Sequence, residues 1–437
     1  RQGRQGRGAS CRLGPCRRQA NDHARRSLDR PQGLRRSRGH QEPRCVHRPK
    51  GLYGSWLLQR PRHLHGRRDL HGPRGPEGDR RLAEAEGSEA GRPSWFVFPS
   101  HLEGLDRFEP GKPISEVQRE LGLERVVKLA SNENPLGPPP GAVEAARRAA
   151  GEAHRYPDAG ATELRQALSA RLGVTPSQVV VGNGSVDVID LVVRAFLGPG
   201  DNAVISEQAF ARFRQIVDSR NRGARLVPMR DWTHDLEAMG RAVDEHTRLV
   251  FVANPNNPTG TWNRRAEVES LLASLPSGAL LVLDEAYFEY ADDPDYPDGV
   301  ELVQRGAPVL VTRTFSKIHG LGGLRIGYGV AAPEVLEALL VVREAFCTNA
   351  VALAAAAAAL EDEDHARRSL ELNRAERQRV ASVLEARGYT VLPSLCNFLT
   401  FDTGEDGRAL FRRLLARGVI VRPLDPYGMP RWLRVSI

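Results

Sequence analysis

Beyond about Trp95, short and wholly apolar runs alternate with segments whose apolar residues recur at helical spacing. The runs are SQVVV, DNAVISE, ARLVPM, TRLVFVA, ALLVL and PVLVTRTF, and stretches such as ATELRQALSARLGV lie between them. Runs apolar on both faces that alternate with helices predict a mainly parallel central sheet in an α/β domain, covered by helices on both faces. After Val341 the pattern changes. The Ala-rich stretch Ala350–Leu360 is too short to span a membrane and reads as a packed helix. A long charged helix is predicted from Glu361 to Arg387, followed by the strand-like pieces TVLPS, NFLTF, VIVRP and WLRVSI. This second pattern predicts a smaller α+β domain. Residues 146–343 are assigned to the large domain and 344–437 to the small one, with 96–145 contributing to the small domain from the N-terminal side. The chain stops on the apolar run WLRVSI, so the small domain is expected to be truncated.

The net charge of +8 divides unevenly. Residues 1–95 hold 23 Lys+Arg against 9 Asp+Glu, whereas residues 96–437 hold 39 against 45. A mildly acidic body therefore follows a basic arm, and the basicity says nothing about the body's ligand. The arm is dense in Arg, Gly, Pro, His and Gln and lacks apolar periodicity, so it is expected to be disordered. It reads as a segment foreign to the native protein, of the kind that out-of-frame translation of a GC-rich gene produces. Cys11, Cys16, Cys45 and His47 match no standard zinc spacing, and no metal site is expected. No nucleic-acid motif accompanies the arginines, so no specific nucleic-acid partner is expected. No run of about 18 apolar residues occurs, and no membrane partner is expected. The five cysteines form no disulfide framework, which points to the cytoplasm.

In a parallel sheet, ligands sit at the carboxyl ends of the strands. SQVVV is followed by Gly182-Asn183-Gly184-Ser185 at the start of a helix, where free N–H groups make an anion site. TRLVFVA is followed by Asn254-Pro255-Asn256-Asn257-Pro258-Thr259-Gly260, which a bare turn explains equally well. ALLVL is followed by Asp284-Glu285-Ala286-Tyr287, where the acid could be a helix cap. PVLVTRTF is followed by Ser316-Lys317, with Arg325 beyond a glycine-rich stretch.

The ordered set NPNNPTG, DEAY, SK and GLRIGY resembles the fold-type I pyridoxal-phosphate aminotransferases, over roughly Phe96 to Ile437. LASNENPLGPP, HRYPDAGATELR and SEQAFARF are most similar to the histidinol-phosphate aminotransferases within that family. The resemblance implies a pyridoxal 5'-phosphate cofactor, with Lys317 supplying the amine that bonds to its aldehyde and then moving the proton. It makes Asp284 the carboxylate that keeps the pyridine nitrogen protonated. Asn257 and Tyr287 match the donors to the ring's phenolate oxygen, and Phe210 matches the aromatic on the ring face. Ser316, Arg325, Gly184 and Ser185 match the phosphate ligands. Tyr156 matches the tyrosine that reaches the neighbouring subunit's cofactor, which implies a homodimer; a packed core tyrosine is the alternative. Arg434, Asn134 and Asn349 match substrate-binding positions.

Two departures bear on this reading. Ser185-Val186-Asp187 stands where the family often has GSDE, and Ala345-Phe346-Cys347-Thr348-Asn349 stands for the frequent PFNVN. The implied activity is transamination between L-histidinol phosphate and 2-oxoglutarate in histidine biosynthesis. Its partners are therefore a small-molecule amino donor and a 2-oxo acid. An aromatic-amino-acid aminotransferase is the alternative, a phosphothreonine-type decarboxylase another, and an inactive homologue serving as a binding protein a third.

Overall fold

The computed structural model describes residues 97, 99–103, 105, 112–220 and 222–437, all within the unit Ser88–Ile437. The expectations for residues 1–95, including the Cys11, Cys16, Cys45 and His47 group, lie outside the described residues.

Six apolar runs and one glycine-rich tetrapeptide build the central sheet. Its strands are β1 (Val179–Gly182), β2 (Asn202–Ser206), β3 (Gly223–Val227), β4 (Thr247–Ala253), β5 (Leu280–Asp284), β6 (Val309–Thr314) and β7 (Gly327–Val330). In space the order is β1-β7-β6-β5-β4-β2-β3. From β3 to β6 every pairing is parallel, and β7 runs antiparallel to both β6 and β1. The fold is α/β with a mainly parallel sheet, as the alternating runs predict.

The two-residue period of a strand divides these runs between two cores. Val250, Val252, Leu281, Leu283, Val309 and Val311 pack on one face, with Leu164, Leu168, Ala352 and Ala356 from the covering helices. Leu249, Phe251, Leu280, Val282 and Leu310 pack on the other, with Val188, Ile189, Leu191 and Val192 of helix α1 (Ser185–Phe196). Each fully buried leucine contributes about 1.5–3 kcal/mol, so both faces of the sheet are fixed and the ends of its strands are rigid supports.

Strand β7 carries no apolar run and lies at the end of the glycine-rich stretch that holds Arg325. A Cβ on Gly327 would lie 2.3 Å from the Ser185 nitrogen and 2.7 Å from the Gly184 carbonyl carbon. Glycine here lets the N-terminus of α1 press against the sheet.

The Ala-rich segment is a packed helix, Ala350–Glu361, with Ala352, Ala355, Ala356 and Ala359 buried. The long charged helix starts later than expected, at Glu363, and ends at Glu385. Asp362 separates the two: its backbone leaves the helical region, and its side chain accepts a hydrogen bond from the His365 N–H at 2.8 Å. The four strand-like pieces form a four-stranded antiparallel sheet of Arg422–Pro423, Trp432–Ser436, Phe398–Asp402 and Thr390–Val391. VIVRP is divided, because Val419–Ile420 instead pairs in parallel with Val127–Lys128.

Candidate active site

The strand ends converge on a cavity of about 150 Å³. Ser185, Phe210, Asn257, Asp284, Tyr287, Ser316, Lys317 and Arg325 all line it. Asp284 is the last residue of β5 and faces Thr312 of β6 in register. Lys317 follows β6 by three residues, Asn257 follows β4 by four, and Ser185 opens α1 after β1.

Asp284 is buried at 5% exposure. Burial pushes its carboxyl up to about 6, against the lowering effects of the Thr312 hydrogen bond and the Lys317 charge. Thr312 Oγ1 donates to Asp284 Oδ1 at 2.8 Å. Such a carboxylate, out of water and held by the Thr312 hydroxyl and the Ala286 N–H, keeps acceptor capacity for an N–H from a ligand.

Lys317 is half-buried, and its Nζ donates to the carbonyls of Ser131 (3.3 Å) and Asn132 (3.2 Å). Burial, then the Arg434 charge, draws its amine down to about 8. An amine so placed is neutral in a sizeable fraction near neutral pH, as a nucleophile requires. Tyr287 is buried beside it, with Lys317 Nζ 5.6 Å from the ring centroid. Its hydroxyl accepts a hydrogen bond from Asn132 Nδ2 at 2.9 Å.

The opposite corner is built for an anion. Arg325 takes left-handed backbone at φ +57, and its Nη1 donates to Ser316 Oγ at 3.4 Å and to the Gly322 carbonyl at 3.0 Å. Gly184, at φ +86, caps α1 directly beneath this guanidinium; a Cβ there would lie 2.7 Å from Arg325 Nη2. The free N–H groups of a helix N-terminus, a hydroxyl and a guanidinium thus share one corner.

Four further candidates lie outside the cavity lining. Arg434 is buried, hydrogen-bonds Asn257 Oδ1 through Nη1 and donates to the Ala130 carbonyl through Nη2 at 2.7 Å. Its Nε is buried without a partner. Arg422 stands directly across from it, in register on the neighbouring strand, and was not singled out from the sequence. Asn134 is buried and pins the turn after Lys317, donating to the Ile318 carbonyl at 2.7 Å and to Ser369 Oγ at 2.9 Å. Asn349 is exposed and caps the helix Ala350–Glu361, while its Nδ2 donates to the Leu324 carbonyl at 3.2 Å, just ahead of Arg325. Tyr156 is 83% exposed and stacks on Phe346 at 4.7 Å between ring centroids.

Sequence reasoning also missed Thr312 and Asn132. Thr312 is a polar residue interrupting an apolar run. Asn132 stands two residues before the chosen Asn134, at φ +54. The departure at Asp187 has a local role, since its Oδ2 accepts from the Asn183 N–H at 2.9 Å. A larger cavity of about 270 Å³ lies beside Arg171 and Arg313. Those cations are already paired, Arg171 with Glu363 and Arg313 with Glu285 and Asp298. Among the described residues, no group of His, Cys, Asp and Glu is arranged to hold a metal ion, and no helix is long and apolar enough to cross a membrane.

Residues 124–437 match the family model for aminotransferase class I and II. A histidinol-phosphate aminotransferase 2 of Methylococcus capsulatus is 48% identical over 342 residues, which cover 77% of this chain and 92% of that protein. One from Pseudomonas aeruginosa is 48% identical over 338 residues, covering 77% and 92%. The crystal structure of a histidinol-phosphate aminotransferase from Sinorhizobium meliloti, in complex with pyridoxal-5'-phosphate, matches with a TM-score of 0.71 at 32% identity, covering 79% of this chain and 94% of that one. The cavity therefore sits in a chain that belongs to the class I and II aminotransferases.

Proposed function

We propose that the protein is a pyridoxal-phosphate-dependent aminotransferase that exchanges an amino group between L-histidinol phosphate and 2-oxoglutarate. One observation carries the cofactor assignment: a buried carboxylate, an amine of lowered basicity and an anion corner face the same cavity. The donor set fits pyridoxal phosphate. Lys317 would bond to its aldehyde, Asp284 would hold the proton on its pyridine nitrogen, and Tyr287 and Asn257 would donate to its phenolate oxygen. Phe210 would cover one ring face. Arg325, Ser316 and the N–H groups at Gly184 and Ser185 would hold its phosphate. When bound, the cofactor supplies the electron sink for the reaction. The protein's own part is to keep water out, to hold one proton at Asp284 and to move another with Lys317.

Substrate choice rests on the relatives' names and on Arg434. This buried cation has an unpartnered Nε and a second arginine, Arg422, directly opposite. A buried guanidinium with one N–H left without a partner suits an anionic group of the substrate. Asn134 and Asn349 are kept as substrate-binding positions on this reading, and they also hydrogen-bond the Ile318 and Leu324 carbonyls beside Lys317 and Arg325. The aromatic-amino-acid reading has no such support among the named relatives.

A homodimer in which Tyr156 serves the partner's site is supported by exposed apolar side chains. Tyr156 and Phe346 stack, and Val341 and Leu340 are also exposed. The free thiols of Cys347 and Cys396 suit a reducing, cytoplasmic compartment. The division into a large domain, 146–343, and a small one formed by 96–145 and 344–437 is supported by the pairing of Val127–Lys128 with Val419–Ile420, while the helix Ala350–Glu361 and Ala142 pack on the central sheet and go with the large domain. The test is a comparison of kcat/KM for histidinol phosphate, phenylalanine and tyrosine with 2-oxoglutarate. A preference of at least about a hundredfold for histidinol phosphate, roughly 2.7 kcal/mol, is expected; equal or reversed preference would overturn the assignment.

A further inference from the structure

Asn132 is 1% exposed, and each of its polar groups is engaged. Its N–H donates to Ser436 Oγ at 2.8 Å, and its Oδ1 accepts from that same hydroxyl at 3.1 Å. Its Nδ2 donates to the Tyr287 hydroxyl at 2.9 Å. Its carbonyl accepts from Lys317 Nζ at 3.2 Å and from Asn397 Nδ2 at 3.0 Å. One residue thus bonds two members of the cavity and ties both to the strand Trp432–Ser436.

The direction of these bonds matters. The Ser436 hydroxyl has one hydrogen and gives it to Oδ1, which leaves the amide nitrogen facing Tyr287. The phenol oxygen then accepts, and its own hydrogen stays free to point into the cavity. A carboxylate at this position would take that hydrogen for itself. The backbone adds a second constraint. At φ +54, Asn132 occupies the left-handed region, which Gly, Asn and Asp adopt readily and Ala only under strain, as Ala161 does at φ +47. Losing that conformation would move the two carbonyls that hold Lys317.

We propose that Asn132 is a positioning residue for the transamination, holding the Lys317 amine with its carbonyl and aiming the Tyr287 hydroxyl with its amide. The Tyr287 half rests on the cofactor reading above; the Lys317 half does not.

The test compares wild type with Asn132→Gly, Asn132→Asp and Asn132→Ala. Acetylation of Lys317 by acetic anhydride is followed by peptide mass spectrometry on cofactor-free protein. The pH midpoint of the visible absorption is followed on protein loaded with pyridoxal phosphate. Asn132→Gly keeps the turn but loses the donor, so its acetylation stays at the wild-type rate while the absorption midpoint rises by about one pH unit, the scale of one lost hydrogen bond. Asn132→Asp also keeps the turn and is expected to shift the midpoint further in the same direction. Asn132→Ala strains the turn and removes its side-chain ties to Ser436 and Tyr287, and Lys317 is expected to label about fivefold faster, the factor one hydrogen bond supplies. If Asn132→Ala does not fold, Ser436→Ala, which removes the anchor of the turn, takes its place with the same expectation. Wild-type midpoints in both Gly and Asp variants would overturn the role at Tyr287, because a residue that only forms a turn is rescued by either. Wild-type labelling in the Ala variant, or in its replacement, would overturn the role at Lys317. Failure of wild-type protein to fix the cofactor on Lys317 with borohydride would refute the cofactor reading, while the labelling arm would still decide the hold on the amine.

Discussion

Thr312 Oγ1 donates a 2.8 Å hydrogen bond to Asp284 Oδ1 across the β5–β6 pair, so the carboxylate at the floor of the cavity is aimed by the neighbouring strand. Thr312→Val keeps the shape and removes the donor. Hydrogen bonds to charged groups contribute about 1.5–3 kcal/mol, and this one lowers the Asp284 pKa. The variant is expected to lose roughly tenfold or more in kcat, and the acid limb of its pH–rate profile should move to higher pH. Steady-state rates measured across pH check both; an unmoved limb would mean that Thr312 does not act on Asp284.

Asp284→Asn separates the cost of the carboxylate from its use. In the folded cofactor-free protein its pKa lies near 6, above the ordinary value of 3.8, because burial disfavours the charged form. A raised acid pKa means that the native state holds the proton longer than the unfolded chain does. Stability due to this group is therefore highest below about pH 4, falls as pH rises toward 6, and stays low above that. Asp284→Asn is expected to melt at higher temperature than wild type at pH 7–8 without cofactor, with the difference vanishing near pH 4. With cofactor, its turnover is expected to drop by several orders of magnitude, comparable to losing about 3–6 kcal/mol of transition-state stabilisation. Thermal melts and turnover on the same preparations check the pair of outcomes. A rate loss below tenfold would leave Asp284 a buried strand-end partner of Thr312 with no part in the reaction.

Two glycines are expected to respond differently to alanine. At Gly327 the new methyl would meet the backbone at Ser185 and Gly184, neither of which can swing away, and destabilisation of about 3 kcal/mol is expected in denaturant titrations. At Gly184 the methyl would meet the end of the Arg325 side chain, and φ is +86. That variant is expected to fold, with lower stability, and to retain pyridoxal phosphate about tenfold more weakly, which equilibrium dialysis reads directly.

The central strands were legible because they are apolar on both faces, and the cavity residues because they follow those strands. Val250 to Ala253 led directly to Asn257, Leu280 to Leu283 to Asp284, and Val309 to Phe315 to Lys317. Strand β7 was not legible: Gly327 and Gly329 answer to the approach of α1, and a tetrapeptide with two glycines has no strand signature. Asn132 was hidden for another reason. Its partners Tyr287 and Ser436 are 155 and 304 residues away, and only the fold brings them together. Asn134 has a visible sequence position, and its buried amide hydrogen-bonds the Ile318 carbonyl at the turn after Lys317, a partner that only the fold reveals.

The most direct measurement is borohydride reduction of the protein loaded with pyridoxal 5'-phosphate, followed by proteolysis and mass spectrometry. The account predicts one cofactor per chain, fixed on the peptide containing Lys317. It also predicts no fixation on that peptide in Lys317→Ala, with the variant losing nearly all turnover while still binding the cofactor through its phosphate corner. Fixation on another lysine, or wild-type turnover in Lys317→Ala, would contradict it.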